Sequence, residues 1–213
     1  HRDLIQRLSQ AARARILAID YRLSPEHLFP APVEDALAAW RWLLDKGHAP
    51  TRIAFAGDSA GGGLALSLML AARANNLPLP CAAVLMSPWT DMTASGASYD
   101  TNAASDPLHQ RAMILGMAKG YLGKSADPRA TLASPLFADL AGLPPLLIQC
   151  GAPEVLVDDA KALAERARQN GVEAELDLYA DMIHVFQTYA ELPEAARALE
   201  RAGAFLVKRW NAA

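Results

Sequence analysis

Arg52-Ile53-Ala54-Phe55-Ala56-Gly57-Asp58-Ser59-Ala60-Gly61-Gly62-Gly63-Leu64 joins an apolar run, a glycine-flanked turn and the start of a second apolar run. The run Arg52 to Ala56 reads as a buried strand, Gly57 to Gly61 matches G-x-S-x-G, and the helix that follows continues to about Ala74, where Asn75, Asn76 and Pro78 stop it. A serine hydroxyl is a poor nucleophile at neutral pH. An enzyme using one must expose its oxygen, supply a base and stabilise an oxyanion. Glycines flanking Ser59 let strand and helix backbones approach while the serine occupies a strained turn, its Oγ projecting above the sheet. The Ala60 N–H, at the helix start, is aimed where negative charge would develop. Gly61, Gly62 and Gly63 could instead suggest a dinucleotide loop, but no G-x-G-x-x-G is present.

Outward from this turn, helical and strand-like patterns alternate, which argues an α/β fold with a parallel sheet. Upstream, Arg2 to Ala12 reads as a helix, Arg15 to Arg22 as a strand buried on both faces, and Val33 to Lys46 as a helix ended by Gly47. Downstream come a strand Cys81 to Met86, a strand Pro145 to Cys150, a helix Asp158 to Asn170, a strand Ala174 to Ala180 and a final helix Pro193 to Trp210. Between the first two of these strands, Asp91 to Ser134 is irregular and polar around one helix, His109 to Leu122. It reads as an insertion over the sheet edge. The whole, 1–213, is expected to be one domain.

With 213 residues, 52% of them apolar, the chain is long enough to bury a full core. Its formal charge of −3 leaves no surplus for phosphates, so nucleic acid is not an expected partner. The longest apolar stretch, Leu64 to Ala72, is too short to span a bilayer. Cys81 and Cys150 fall short of a disulfide framework and fit a reducing compartment, the cytoplasm by default. No H-E-x-x-H or C-x-x-C metal spacing occurs, and serine chemistry needs no metal. The edge strand Ala174 to Ala180 leaves room for a homodimer, whereas Glu175 and Asp177 on it would oppose one.

A serine nucleophile needs a histidine base, and the histidine needs a carboxylate that fixes its tautomer. In hydrolases of this architecture the chain order is serine, acid, histidine. His1, His27 and His48 precede Ser59 and read as loop or surface residues, and His109 falls in the insertion, on no strand end. His184 closely follows the last strand and is the candidate base. The acid should stand just past an intervening strand, where Glu154, Asp158 and Asp159 all lie. Asp158 and Asp159 open the next helix, where a carboxylate already has a role as a cap, so Glu154 in the turn itself is favoured and Asp158 is its rival.

The segments Tyr21-Arg22-Leu23-Ser24-Pro25-Glu26-His27, Gly57-Asp58-Ser59-Ala60-Gly61-Gly62, Glu154-Val155-Leu156-Val157-Asp158-Asp159 and Asp181-Met182-Ile183-His184-Val185-Phe186 resemble the hormone-sensitive-lipase-like branch of the α/β-hydrolases, the bacterial family IV esterases. The resemblance implies a cofactor-free carboxylesterase preferring short acyl chains. Ser59 would be the nucleophile, His184 the base, Glu154 the acid, and Ala60 an oxyanion donor, on a small-molecule ester substrate. Arg22 and Glu26 would brace a loop, and the insertion would be a helical cap forming part of the acyl pocket's wall. Trp89, Met113, Met117 and Tyr121 could line that pocket, although their spacing is equally that of ordinary core.

The sequence departs from the family in one respect. Members carry a His-Gly-Gly-Gly segment shortly before the position of His1, and it completes the oxyanion hole. The family's third strand would also lie between Arg15 to Arg22 and Arg52 to Ala56. These N-terminal parts are missing from the sequence, so the chain is expected to be the C-terminal portion of a protein of about 300 residues, by the usual domain size. Rival readings are a small-molecule binding protein, as in the plant gibberellin receptors that have lost the histidine, and an amidase or peptidase of the same superfamily.

Overall fold

The computed structural model describes residues 1–210, so the last three residues of the expected 1–213 domain lie outside the described residues. Four strands, β1 (Ala54–Asp58), β2 (Ala82–Met86), β3 (Leu146–Gly151) and β4 (Ala174–Tyr179), form one parallel sheet in the order β1-β2-β3-β4. Parallel neighbours require crossovers, and helices on both faces supply them. The helices are α1 (Arg2–Ala12), α2 (Ala31–Asp45), α3 (Ala60–Ala74), the single turn α4 (Ser98–Thr101), α5 (Arg111–Leu122), α6 (Val157–Gln169) and α7 (Pro193–Trp210).

The alternation of side chains along β2 divides the core. Ala83 and Leu85 face Leu66 and Met69 of α3 and Leu163 of α6, while Ala82, Val84 and Met86 face Leu4 and Leu8 of α1 and Phe205 and Leu206 of α7. In α1 the buried residues Leu4, Leu8 and Ala12 recur every four positions, the spacing of one helical face. α3 is buried nearly all round because α2 covers its outer side through Ala36 and Trp40. Trp40 is 1% exposed and donates its Nε1–H to the Pro78 carbonyl at 3.0 Å, so the indole buries its apolar area without stranding its one polar atom.

One expected element is absent. Arg15 to Arg22 forms no strand, and Ile16, Leu17 and Ile19 are exposed, because no strand stands beside this segment for its backbone to pair with. At the opposite edge, the outward carboxylates of β4 and its lead-in are met within the chain, Glu175 by Arg201 and Glu173 by Arg209 of α7. Among the described residues no helix is long and apolar enough to cross a membrane.

Candidate active site

All four strands point the same way, so the residues following each of them gather along one rim of the sheet, where open α/β sheets build their sites. After β1 comes Ser59, with φ 52° and ψ −120°, a conformation that L residues other than glycine seldom adopt. The turn is held by its backbone: Ser59 N–H donates to Met86 O at 2.9 Å, and Ser59 O accepts from Gly62, Gly63 and Trp89 N–H at 3.0, 3.2 and 3.0 Å. Gly57 is obligatory here, since a Cβ on it would stand 2.2 Å from the Gly61 carbonyl oxygen. Gly61, its partner in the motif, has open space around its missing Cβ. Ala60 opens α3 and is exposed, so its N–H has no intrahelical acceptor and is free to meet an incoming anion. Among the described residues the Ser59 hydroxyl makes no hydrogen bond, whereas its carbonyl and amide are fully engaged.

After β3 stands Glu154, fully buried, and after β4 His184, 7% exposed. Their side chains meet, with His184 Nδ1 2.7 Å from Glu154 Oε2. The other carboxylate oxygen, Oε1, accepts from Gly151 N–H at 2.6 Å and from the Ser87 hydroxyl at 2.7 Å. Ser87 follows β2 directly. Its oxygen also accepts Val185 N–H at 3.1 Å, so one hydroxyl ties the acid to the residue after the histidine. The loop carrying His184 is drawn onto β3 so closely that a Cβ on Gly151 would lie 1.9 Å from the Met182 carbonyl oxygen. Ser87 (φ 45°) and Val185 (φ 50°) share with Ser59 the left-handed region, so three of the six such non-glycine residues among the described residues lie at this rim. His184 also reaches the field of Asp58, next to Ser59. Burial pushes the Asp58 carboxyl up, and the nearby imidazole pulls against it.

The rival carboxylates are engaged elsewhere, and not as caps of their own helix. Asp158 accepts Ser98 N–H at 2.8 Å. Asp159, 2% exposed, accepts Thr90 and Asp91 N–H, each at 2.9 Å, and the Tyr99 hydroxyl at 3.1 Å. Both therefore anchor the segment after β2, and burial raises the Asp159 carboxyl to about 7. Of the other histidines, His1 is exposed with Nε2 3.0 Å from Asp58 Oδ2, whereas His109 packs against His184, a placement its position in the insertion did not announce.

Sequence reasoning also missed Ser87, although the rule that pointed to Glu154 and His184, a polar residue just past a strand, applies equally to it. Arg22 does brace its loop, pairing with Asp35 at 2.8 Å and Glu34 at 3.2 Å. Glu26 takes no part in that brace, having no hydrogen-bond partner among the described residues.

Beside the Ser59 turn a cavity of about 340 Å³ opens, lined by Ala60, Gly63, Ser67, Tyr21, Trp89, Met92, Met117 and Tyr121 among others. Its wall is predominantly apolar. Met113 does not contribute to it and is 49% exposed. Among the described residues no three His, Cys, Asp or Glu side chains cluster as a metal-ligand set.

Residues 1–188 match the family model described as alpha/beta hydrolase fold. The chain is 50% identical over 97% of its length to an acetyl-hydrolase of Streptomyces hygroscopicus, 69% of which it covers. An esterase from the bacterial hormone-sensitive lipase (HSL) family superposes with a TM-score of 0.97 at 51% identity, covering 99% of this chain and 71% of its own. EstE5, solved after soaking with p-nitrophenyl butyrate, gives 0.96 at 46% identity over the same shares of the two chains. The chain thus spans about 70% of the length of these relatives. With a nucleophile-type turn after the first of its parallel strands, a buried acid and histidine after the last two, and this likeness along its whole length, the chain belongs to the alpha/beta hydrolase fold family, in its bacterial hormone-sensitive lipase branch.

Proposed function

We propose that the protein is a serine carboxylesterase hydrolysing short-chain acyl esters through Ser59, His184 and Glu154. The observation that carries this reading is the buried 2.7 Å contact between Glu154 Oε2 and His184 Nδ1, on the rim that presents the strained Ser59 turn. A carboxylate on Nδ1 fixes the tautomer that leaves Nε2 basic. Nε2 takes the Ser59 proton as Oγ attacks the ester carbonyl. The imidazolium then protonates the leaving alcohol, and water repeats the cycle on the acyl-enzyme. In the resting enzyme the contact from serine to histidine need not be formed, since such bonds often tighten only with substrate.

Glu154 stabilises the imidazolium without taking its proton, and the donors Gly151 N–H and Ser87 Oγ hold the carboxylate in place against the ring. The Ala60 N–H supplies one oxyanion donor. Removal of a single such donor typically costs about 3–4 kcal/mol in the barrier. The apolar cavity beside Ala60 takes the acyl chain, its wall formed in part by the segment Asp91 to Ser134 acting as a cap within a single catalytic domain. The soak of the similar EstE5 with p-nitrophenyl butyrate supports an ester of that size.

The test is Ser59→Ala in the full-length protein, assayed with p-nitrophenyl butyrate. Hydrolysis should fall to the background of the uncatalysed reaction, and retained turnover would overturn the mechanism. A parallel assay on the matching anilide separates an esterase from an amidase.

A further inference from the structure

His109 lies between α4 and α5, in a segment bound tightly to the turn that carries Glu154. Asp106, 4% exposed, accepts Leu108 and His109 N–H on Oδ1 at 2.8 and 3.0 Å and Val155 N–H on Oδ2 at 2.8 Å. Asn102 Nδ2 donates to Ala152 O and Glu154 O at 3.0 and 2.9 Å, and Ser105 Oγ donates to Pro153 O at 3.1 Å. Six hydrogen bonds across or beside this seam fix where the His109 ring stands. It stands against His184: the centroids are 4.5 Å apart and the planes cross at 80°, an edge-to-face contact at the close end of the range for aromatic pairs. His109 Nδ1 is buried and has no partner among the described residues.

From this geometry we infer that His109 is a positioning residue, an edge-on ring that presses the His184 imidazole onto Glu154 and keeps water from its buried side. The inference rests on the triad reading above. Among the described residues His184 has only one side-chain hydrogen-bond partner at its ring nitrogens, the Glu154 carboxylate, so something else must fix its tilt about that bond. Packing by an adjacent ring does so at no cost in competing hydrogen bonds.

The charges around His109 agree with a ring that stays uncharged. Burial and the neighbouring His184 push its protonation to lower pH, against the weaker opposite pull of Asp106 and Glu154. An uncharged neighbour leaves the positive charge formed on His184 during turnover to be met by Glu154.

The experiment compares wild type, His109→Ala and His109→Phe in the full-length protein, with kcat and KM read separately on p-nitrophenyl butyrate. His109→Ala should lose roughly tenfold to a hundredfold in kcat with little change in KM, the penalty of a displaced reacting group. His109→Phe, which keeps the ring, should restore kcat. A wild-type kcat in His109→Ala, or a His109→Phe as impaired as the alanine variant, would overturn the inference. Labelling of wild-type Ser59 by phenylmethanesulfonyl fluoride, read by mass, tests the triad separately: a serine that does not react overturns that reading whatever His109 does.

Discussion

Ser87 shows how much one hydroxyl can organise. It donates to Glu154 and accepts from Val185, so it fixes the Glu154 carboxylate and the backbone of the His184 loop together. Ser87→Ala removes one of the two donors to Glu154 Oε1 and leaves a buried N–H at Val185 without an acceptor. We expect a loss of about 1–3 kcal/mol in stability and of roughly tenfold to a hundredfold in kcat with KM nearly unchanged. Chemical denaturation and steady-state kinetics on the same preparation check both. As candidates, Ser59, Glu154 and His184 were legible in the sequence because each has a type and a place that serine chemistry demands. Ser87 and His109 were not, because their roles depend on which turn they touch, and contact across 67 residues to Glu154 or 75 to His184 leaves no periodicity to read.

At the scale of elements, local pattern sufficed wherever a segment's partners lie in the chain. α1 and α7 run from Arg2 to Ala12 and from Pro193 to Trp210, as their apolar spacing predicts, and β2, β3 and β4 fall within a residue or so of the predicted runs. Arg15 to Arg22 failed for the converse reason. Its apolar run has strand character, but a strand is a pairing, and composition alone cannot say whether a neighbour is there. The Ser59 turn divides its two motif glycines in a way the letters do not. Gly57→Ala forces a Cβ into the Gly61 carbonyl and should destabilise the protein by at least about 1–3 kcal/mol, the usual cost of overpacking. Gly61→Ala, in the first turn of α3 with open space, should leave stability unchanged or raise it by up to about 1 kcal/mol. Thermal melts of the two variants give the comparison, and equal losses would refute the steric account.

For the molecule as a whole, the parallel order of the strands was implied by the alternation of elements, and it is this order that collects the rim residues on one side. Asp159 ties that rim to α6, and its buried carboxyl titrates near pH 7 instead of at its ordinary 3.8. Between these values the folded protein keeps a proton that the unfolded chain has released. Its contribution to stability is therefore greatest at acidic pH and declines as pH rises towards 7, by up to about 1.4 kcal/mol per pH unit. Asp159→Asn, which has no proton to lose, should accordingly lag furthest behind wild type near pH 4 and close the gap by pH 7. Urea midpoints across that range test this, and parallel profiles would show that Asp159 is ionised throughout.

The seam from Asn102 to His109 bears on how such a scaffold can diversify. Met117 and Tyr121, which shape the apolar cavity, sit on the same excursion of chain that grips the Glu154 turn. Grafting a foreign wall to change what fits inside would, if cut upstream of Asn102, exchange the grip along with the upholstery. Splice points confined to α5 itself, after Gln110, would let the lining vary while the hinge to the acid stays native.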